Sequence, residues 1–426
     1  MDVLIADVFG DVALVVLTAW LLGIAARRVG QPTVIGQMIA GILLGPSVLG
    51  HLTDRLFPSP ALPTLNALAQ LSVVFFMFVV GYELDRQALR GGRRAAALVA
   101  AAALFVPMCL GSGSAVVFKS SFASLGQPHI NPFFVAFMGV AVSITALPVL
   151  AAILRERNIA GTVPGVTATT AAGIMDGAAW LALALVVAGA THAHGRPWLI
   201  TLLLVSGFVV VMLVGVRRAL RWWLGGRDGL LAERLPVAMA LALGSAWVTT
   251  SLGLHPVFGG FLAGLTMAGT GGTTPDAEIL QPMEEISGAL LPLFFMITGL
   301  SVNIEALNGA ALLVLALMCA VAGAGKLIPA YFAARVGGLN PNESAVVAIL
   351  VNTRGLTELI VLNTGLAAGL IGERLFSVLV LMAVAMTVTT APLLSLVGLP
   401  EPPRSGRRRP LEHDQAAQAQ PGTHAA

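Results

Sequence analysis

Apolar runs of about 20 residues recur from one end of this chain to the other, and each is long enough to cross the hydrocarbon core of a bilayer as a helix. Within lipid, only helices and closed β-barrels satisfy all of their backbone hydrogen bonds. The runs lack the alternation of apolar and polar residues that is typical of barrel strands. Charged residues make up 11% of the 426 positions, against about 25% in an ordinary soluble domain. The sequence therefore predicts an all-α, polytopic membrane protein surrounded by membrane lipid.

Clusters of charged residues, glycine and proline divide the runs into thirteen predicted transmembrane helices. Their approximate bounds are 5–26, 32–50, 65–84, 95–118, 130–154, 162–190, 197–220, 235–252, 256–270, 286–302, 308–336, 343–369 and 372–397. The ninth, 256–270, is short for a span. Arginine is concentrated in alternate loops, which is typical of the cytoplasmic side. This bias predicts a multi-pass protein of the cell membrane with its N-terminus outside and its C-terminus in the cytoplasm.

The chain divides into a predicted transmembrane domain, residues 1–398, and a predicted disordered cytoplasmic tail, residues 399–426. The tail is rich in Pro, Ala and Gln and has no apolar periodicity. No soluble domain is expected beside the helices. The net charge of +3 is largely explained by the arginines of the cytoplasmic loops, so we expect no nucleic-acid partner.

Two pairs of segments indicate an inverted internal repeat. GQMIAGILLGP (36–46) and GGFLAGLTMAG (259–269) place small residues at a similar rhythm in the second and ninth spans. The fifth and twelfth spans are both interrupted by polar residues, in VSITALP (142–148) and NTRGLTE (352–358). In each pair the two spans lie seven helices apart, and an odd offset inverts the second unit. Matched broken helices in inverted repeats are typical of secondary transporters with a site near the middle of the membrane.

Ionisable residues deep in the spans are the candidate functional residues, because a charge at the bilayer centre costs about 2.5 to 3.5 kcal/mol. Asp176 lies in the sixth span and Lys326 in the eleventh. Thr353, Arg354 and Glu358 belong to the interrupted twelfth span, where the arginine and the glutamate are four residues apart and are interpreted as a pair that braces the broken helix. Lysine occurs only twice among the 24 lysines and arginines, so the chain uses arginine almost everywhere that a positive charge is needed. The lysine at position 326 therefore indicates a role that arginine would not fill. It is interpreted either as a salt-bridge partner of Asp176 or as a residue of the transport cycle.

Asp176 is the predicted ion-binding residue. A carboxylate in this setting can hold either a proton or a cation, so that H+ and a monovalent metal ion compete for it. Hard oxygen donors suit Na+ or K+, and Ser143, Thr145 and the backbone carbonyls freed around Pro148 are expected to complete the coordination shell. The cation is cargo, and no cofactor is expected beyond the transported Na+ or K+ and H+. No nucleophile beside a base, metal-ligand spacing or phosphate-binding loop is present, so an enzyme is not predicted.

Six blocks in order, spanning residues 1 to about 398, carry a family resemblance. They are GQPTVIGQMIAGILLGPSVLG, FFMFVVGYELD, PVFGGFLAGL, LLPLFFMITGLSVNI, GAGKLIPAYFAARVGG and NTRGLTELIVLNTGL. Together they resemble the monovalent cation:proton antiporter family 2, which includes bacterial Na+/H+ and K+/H+ antiporters and plant cation/H+ exchangers. The resemblance is strongest to the exchanger branch in the NTRGLTELIVLN and MDGAAW blocks.

That resemblance implies a thirteen-helix sodium/proton antiporter-like fold, a homodimer, and a core bundle that slides against a dimerisation bundle. It further implies that Asp176 is the ion-binding aspartate and Lys326 the lysine that faces it. Ser143 and Thr145 would mark the first broken helix.

The chain departs from the family pattern at two positions. Met175 stands where the family usually has Asp, Asn or Gln before the aspartate, and a thioether carries no proton. Two stoichiometries therefore remain open, since Lys326 either pairs with Asp176 in a one-for-one exchange or carries a proton itself. Gln37 replaces the acid of the common GEMIAGILLGP block. The appended nucleotide-binding domain of some potassium efflux members is not expected here.

Two other classes of transport protein remain as alternatives. A Na+-coupled carrier of an organic anion would share the broken helices and would use Lys326 or Arg354 to bind the substrate's carboxylate. A cation channel would need a continuous pore lined by polar rings or a selectivity filter. Single deep charges on separate helices favour alternating access over the channel. The sequence leaves open whether the cation is Na+ or K+.

Overall fold

A computed structural model describes residues 2–87, 93–127, 130–190, 198–224, 234–268, 277–302 and 307–398 of the chain. Within these ranges the regular structure is α-helical, apart from one π-helical turn, and contains no strand. The prediction of an all-α fold is confirmed. The tail predicted at 399–426 lies outside the described residues.

The α-helices are, in chain order, α1 (Asp2–Arg28), α2 (Thr33–Leu44), α3 (Pro46–Leu49), α4 (His51–Leu56), α5 (Leu62–Gln87), α6 (Arg93–Val117), α7 (Lys119–Ser124), α8 (Pro132–Ser143), α9 (Leu147–Glu156), α10 (Val163–Ala190), α11 (Trp198–Val210), α12 (Arg217–Leu224), α13 (Arg234–Ser251), α14 (Pro256–Met267), α15 (Ala277–Leu300), α16 (Gly309–Val336), α17 (Pro341–Val351), α18 (Leu356–Ala367) and α19 (Glu373–Val397). The π-helical turn, Val211–Val216, joins α11 to α12.

Among the described residues, nine segments are long and apolar enough to cross a membrane, and three shorter apolar helices accompany them. The shorter ones are α2, α8 and α14. The count of thirteen spans stays a prediction, but the ninth predicted span is indeed short, since α14 has 12 residues. Burial separates central helices from peripheral ones. The segment made of α17 and α18 has 94% of its apolar window buried, whereas the segment from Leu203 to Trp223 has 11%. The broken twelfth span therefore runs through the middle of the protein.

The long helices pack into two groups. In the first, which we call the scaffold bundle, α5 packs against α14 and α15, α2 against α1 and α15, and α13 against α14. In the second, the core bundle, α6 packs against α8, α10 and α16, while α16 and α17 contact α19. The core bundle also includes α9, which contacts α10, and α18, which contacts α8 and α19. The helices that carry the deep ionisable residues, α10, α16 and α18, therefore all belong to it.

Equivalent glycines make equivalent close contacts in the two halves of the scaffold bundle. A methyl group at Gly36 in α2 would overlap the backbone of α1, and one at Gly259 in α14 would overlap the backbone of α13. Five residues later, Gly41 lies against the backbone of α15 and Gly264 against that of α5. These positions match one another in the two small-residue segments of the sequence. The repeat is therefore expressed in the structure as a repeated helix crossing, in which the lack of a side chain lets two backbones touch.

A change of Gly264 to Ala is expected to destabilise the fold, because the added methyl group meets the backbone around Phe78. Overpacking of this kind typically costs about 1–3 kcal/mol. The midpoint of thermal unfolding of the detergent-solubilised protein should fall for Gly264→Ala and for the equivalent Gly41→Ala. The control is Gly244→Ala in α13, where a methyl group meets nothing within 4 Å. Equal midpoints for Gly264→Ala and Gly244→Ala would contradict the close crossing.

Candidate functional site

Two broken helices meet inside the core bundle. The fifth predicted span is divided into α8 and α9 by residues 144–146, and the twelfth into α17 and α18 by residues 352–355. Pro148 lies in the first turn of α9, where its missing N–H is tolerated. Gly355 has a φ of 152°, and a β-carbon there would lie 2.7 Å from the Val149 side chain. Glycine thus allows the start of α18 to approach α9, and both interruptions fall where the sequence predicted them.

The two breaks satisfy each other's backbone. The N–H of Ala146 donates to the carbonyl of Thr353 at 2.9 Å. The hydroxyl of Thr145 donates to the carbonyl of Val351 at 2.9 Å, and the hydroxyl of Thr357 donates back to the carbonyl of Thr145 at 3.1 Å. Unpaired backbone groups are costly in a membrane. The two breaks, residues 144–146 and 352–355, therefore form a reciprocal unit, which we call the crossing, in which each broken helix depends on the other.

Two cationic side chains occupy the C-terminal end of α8. The ammonium of Lys326 donates to the carbonyls of Ser143 and Ile144, both at 2.6 Å, and to the hydroxyl of Thr145 at 2.7 Å. The guanidinium of Arg354 donates to the carbonyl of Ala141 at 3.3 Å and also to that of Val142. The last carbonyls of a helix carry partial negative charge and favour a cation. Lys326 and Arg354 together neutralise this helix end.

Arg354 also forms an ion pair with Glu358, with 2.7 Å between Nη1 and Oε1 and both side chains fully buried. The pair spans the start of α18, because Arg354 lies in the break and Glu358 in the first helical turn. A carboxylate is favoured at a helix N-terminus. The carbonyl of Arg354 accepts a hydrogen bond from the Thr387 hydroxyl at 2.8 Å, which ties the break to α19.

Asp176 lies in the middle of α10 and is 2% exposed. Neither carboxylate oxygen has a hydrogen-bond partner. The backbone N–H of Leu147, the first residue of α9, faces the carboxylate without reaching hydrogen-bonding geometry. A buried carboxylate without partners is unfavourable unless it holds a proton or a cation. Asp176 thus differs from Glu358, which has an arginine bound to it.

Lys326 and Asp176 both lie among the described residues, and the structure shows no ion pair between them. The interpretation of Lys326 as a salt-bridge partner of Asp176 therefore does not hold in this conformation. An ammonium has three donor hydrogens. In Lys326 these hydrogens match the three acceptors at the end of α8. Asp176 and Lys326 still interact electrostatically. The lysine lies near the aspartate but is bound to the first break.

The oxygens proposed to complete a cation shell already have partners. The hydroxyl of Ser143 donates to the carbonyl of Val140 within its own helix at 2.9 Å. Thr353, which was predicted as part of the second break and not of the cation shell, donates its hydroxyl to the carbonyl of Leu350 at 2.8 Å. The hydroxyl of Thr145 also lies 3.9 Å from the sulfur of Met175. A cation bound to the carbonyl of Ser143 or to Thr145 would therefore compete with the ammonium of Lys326.

Two polar residues at the crossing, Thr357 and Asn352, are not among the candidate residues predicted from the sequence. Asn352 caps the C-terminal end of α17, is 2% exposed, and has a side-chain oxygen that accepts no hydrogen bond. It precedes Thr353 within the quoted NTRGLTE segment, so the signal was present. Asparagine carries no charge, so the burial of an ionisable group, which marks Asp176 and Lys326 in the sequence, does not mark Asn352.

A cavity of about 580 Å³ leads toward this crossing from one face of the protein. Its walls come from α5 and α15 of the scaffold bundle and from α9 and α10 of the core bundle. Glu83, Arg155 and Glu284 contribute ionisable side chains to it, and Thr169 on α10 contributes a hydroxyl. Leu147, whose N–H faces Asp176, is also one of the wall residues. The cavity therefore separates the two bundles as far as the start of α9.

Comparison with known proteins gives a consistent result. Residues 13–396 match the family model described as "Sodium/hydrogen exchanger, transmembrane". The chain is 35% identical over 423 residues to Cation/H(+) antiporter 20 of Arabidopsis thaliana, with 95% of this chain and 50% of the plant protein covered. It is 36% identical over 400 residues to the Na(+)/H(+) antiporter NhaS4 of Synechocystis sp., with 91% of this chain and 96% of that protein covered. The chain thus spans about half the length of the plant relative and nearly all of the cyanobacterial one.

The fold is similar to that of the sodium proton antiporter MjNhaP1 from Methanocaldococcus jannaschii. The TM-score is 0.67 at 12% sequence identity, and the match covers 92% of this chain and 97% of that one. At this identity the likeness concerns the fold alone.

Replacement of Glu358 by Gln is expected to destabilise the protein strongly, because it leaves the charge of Arg354 buried without its partner. Loss of one member of a buried pair typically costs about 3–5 kcal/mol. In a double-mutant cycle made of the native protein, Arg354→Met, Glu358→Met and Arg354→Met/Glu358→Met, the double variant should lose less stability than the sum of the two single Met variants. Thermal unfolding of the four proteins measures this coupling. The control is Glu343→Gln, which removes only a capping interaction at the start of α17 and should lower the unfolding midpoint less. Equal midpoints for Glu358→Gln and Glu343→Gln would contradict the importance of the buried pair.

Proposed function

Because the chain belongs to the sodium/hydrogen exchanger family, we propose that it exchanges a monovalent cation, Na+ or K+, for H+ across a membrane by alternating access at Asp176. The observation that carries this proposal is the carboxylate itself. Asp176 is buried in the middle of an apolar helix, and neither oxygen has a hydrogen-bond partner. A proton or a cation satisfies the carboxylate equally by charge, and the two cannot occupy it together. Competition between them couples their movements in opposite directions.

Lys326 is the second functional residue of the proposed cycle. Its ammonium already sits on two carbonyls and a hydroxyl at the end of α8, an oxygen-rich setting of the kind that suits a monovalent cation. An incoming cation that used these oxygens would displace the ammonium. Met175 supplies no second titratable group beside Asp176, so proton carriage falls to Asp176 and Lys326.

The proposed movement is a displacement of the core bundle against the scaffold bundle. The cavity between α5, α15, α9 and α10 already separates the two bundles on one side. Arg155 lines this cavity. It directly follows the fifth predicted span, in one of the arginine-containing loops that predict the cytoplasmic face. We infer that the structure represents an inward-facing arrangement, with the N-terminus outside and the C-terminus in the cytoplasm. A homodimer in the cell membrane completes the proposal.

The contacts of the two buried basic side chains, Lys326 and Arg354, argue against a carrier of organic anions. Such a carrier would use Lys326 or Arg354 to bind the substrate's carboxylate. Lys326 is instead bound to the end of α8, and Arg354 is bound to α8 and to Glu358. Na+-dependent uptake of a labelled organic acid without proton counterflow would reverse this conclusion.

Replacement of Asp176 by Asn should abolish exchange, because an amide carries no negative charge to bind a proton or a cation. Purified protein in liposomes with an internal pH dye and an imposed pH gradient is given pulses of Na+, K+ or Li+. The native protein should collapse the gradient on addition of the preferred cation. Asp176→Asn should give the signal of protein-free liposomes.

The matched control is Asp54→Asn, which makes the same chemical change at an exposed position in α4. It should leave the exchange rate within about twofold of the native rate, as is usual for a surface substitution. Cation-dependent proton flux that persists in Asp176→Asn would overturn the role of this carboxylate. Native protein without such flux would overturn the antiporter function itself.

A further inference from the structure

The face of α18 that meets the scaffold bundle carries one polar residue between two leucines. Leu359, Asn363 and Leu366 follow one another at spacings of four and three, so they lie on one side of the helix. Leu359 shares a small void with Phe295 of α15, and Leu366 shares a larger cavity with Leu300 of the same helix. This side of α18 is therefore the surface along which the core bundle contacts α15.

The larger of these cavities, about 360 Å³, lies on the opposite side of the protein from the cavity that reaches α9. From the crossing, α9 leads to one face and α18 to the other, because the two broken spans are inverted relative to each other. Ser301 and Glu373 are polar residues of this outer cavity. It does not extend to the crossing in this structure.

A hydrogen bond lies between the outer cavity and the crossing. The side-chain amide of Asn363 donates to the hydroxyl of Thr298 on α15 at 2.9 Å and to the carbonyl of Leu359 at 2.9 Å. Thr298 is 2% exposed. Beyond it, Met38, Phe295 and Leu359 leave a void of about 10 Å³, at the lower limit of the space that one water molecule needs.

The threonine of this hydrogen bond is held in place by the close glycine contact between α2 and α15. Gly299, next to Thr298, lies directly against the backbone of Gly41 in α2. Thr298 is therefore fixed to the α2–α15 pair, while Asn363 is fixed to the broken helix that carries Glu358. Any displacement of the core bundle along α15 has to separate the two side chains.

We propose that Asn363 and Thr298 form an external latch, a polar contact that holds the outer pathway closed while the inner cavity is open. This proposal rests on the proposed alternating access, and both residues act by positioning the bundles and not by binding the ion. A hydrogen bond in an otherwise apolar contact surface favours one register of the two helices. Its loss makes the outward-facing arrangement easier to reach.

The test measures access from the outside and not transport. In a background with Cys109 and Cys319 replaced by Ala, a single reporter, Met38→Cys, is placed below the latch, where the native side chain is 3% exposed. Intact cells are treated with a membrane-impermeant maleimide. Thr298→Val removes the acceptor hydroxyl with little change of shape, and the labelling rate should rise roughly 2- to 10-fold, the range expected for one net hydrogen bond. Thr298→Ser keeps a hydroxyl and should restore slow labelling.

The matched control is Thr364→Val, which removes a buried hydroxyl that donates to Ile360 of its own helix at 2.8 Å. It should leave the labelling rate unchanged. Equal rates in Thr298→Val and Thr364→Val would overturn the latch. Asn363→Leu provides an independent variant of the partner side, and slow labelling there would also overturn it. The labelling of Thr298→Val tests the latch, whereas the proton flux of the native protein tests the antiporter function. Faster labelling of the variant together with no cation-driven flux in the native protein would support the latch and refute the antiporter function, so the two failures are distinguishable.

Discussion

The hydrogen bonds that two broken helices exchange inside the membrane are the interaction on which the rest of this structure depends. Each break frees backbone groups that lipid cannot satisfy, and the other break supplies the partners through Thr145, Ala146, Thr353 and Thr357. Once this crossing exists, its ends carry partial charges. The positions of Lys326, Arg354 and Glu358 follow from those charges, since each side chain lies at a helix end whose partial charge is opposite to its own. The ionisable groups are thus arranged by the backbone before any ion is considered.

Within that arrangement, Asp176 stands apart from the other deep charges. Lys326 and Arg354 are bound by carbonyls, and Glu358 is bound by Arg354. Asp176 comes from an unbroken helix and neither of its oxygens is paired. The protein therefore stabilises the charges that shape the crossing and leaves one carboxylate without a fixed partner. A group in that condition is suited to exchange one ligand for another, whereas a fully paired group is suited to hold a structure.

The features that could be predicted from the sequence are those with a local signal. Apolar length gave the all-α membrane fold, small-residue rhythm indicated the repeat, and the polar segments 142–148 and 352–358 located both breaks. Partner choice has no local signal, because Lys326 and Ser143 are 183 positions apart and their contact depends on how α16 packs against α8. The alternative in which Lys326 pairs with Asp176 has no local signal either, and in this conformation the ammonium is bound to the end of α8 instead. Asn352 and Asn363 carry no charge, so nothing in the sequence distinguishes them from ordinary polar residues of a helix. The roles of the site residues stay predictions.

The capping of the two broken helices has a consequence for symmetry. The end of α8 is covered by two positive side chains, Lys326 and Arg354, whereas the end of α17 is covered by the neutral hydroxyls of Thr145 and Thr353. The two halves of the repeat therefore share the backbone arrangement of the crossing but differ in the charge placed at the two helix ends. An ion in the middle of the protein meets a different potential toward each face, even though the helices on the two sides are related by inversion. The asymmetry of the crossing therefore lies in its side chains and not in its backbone.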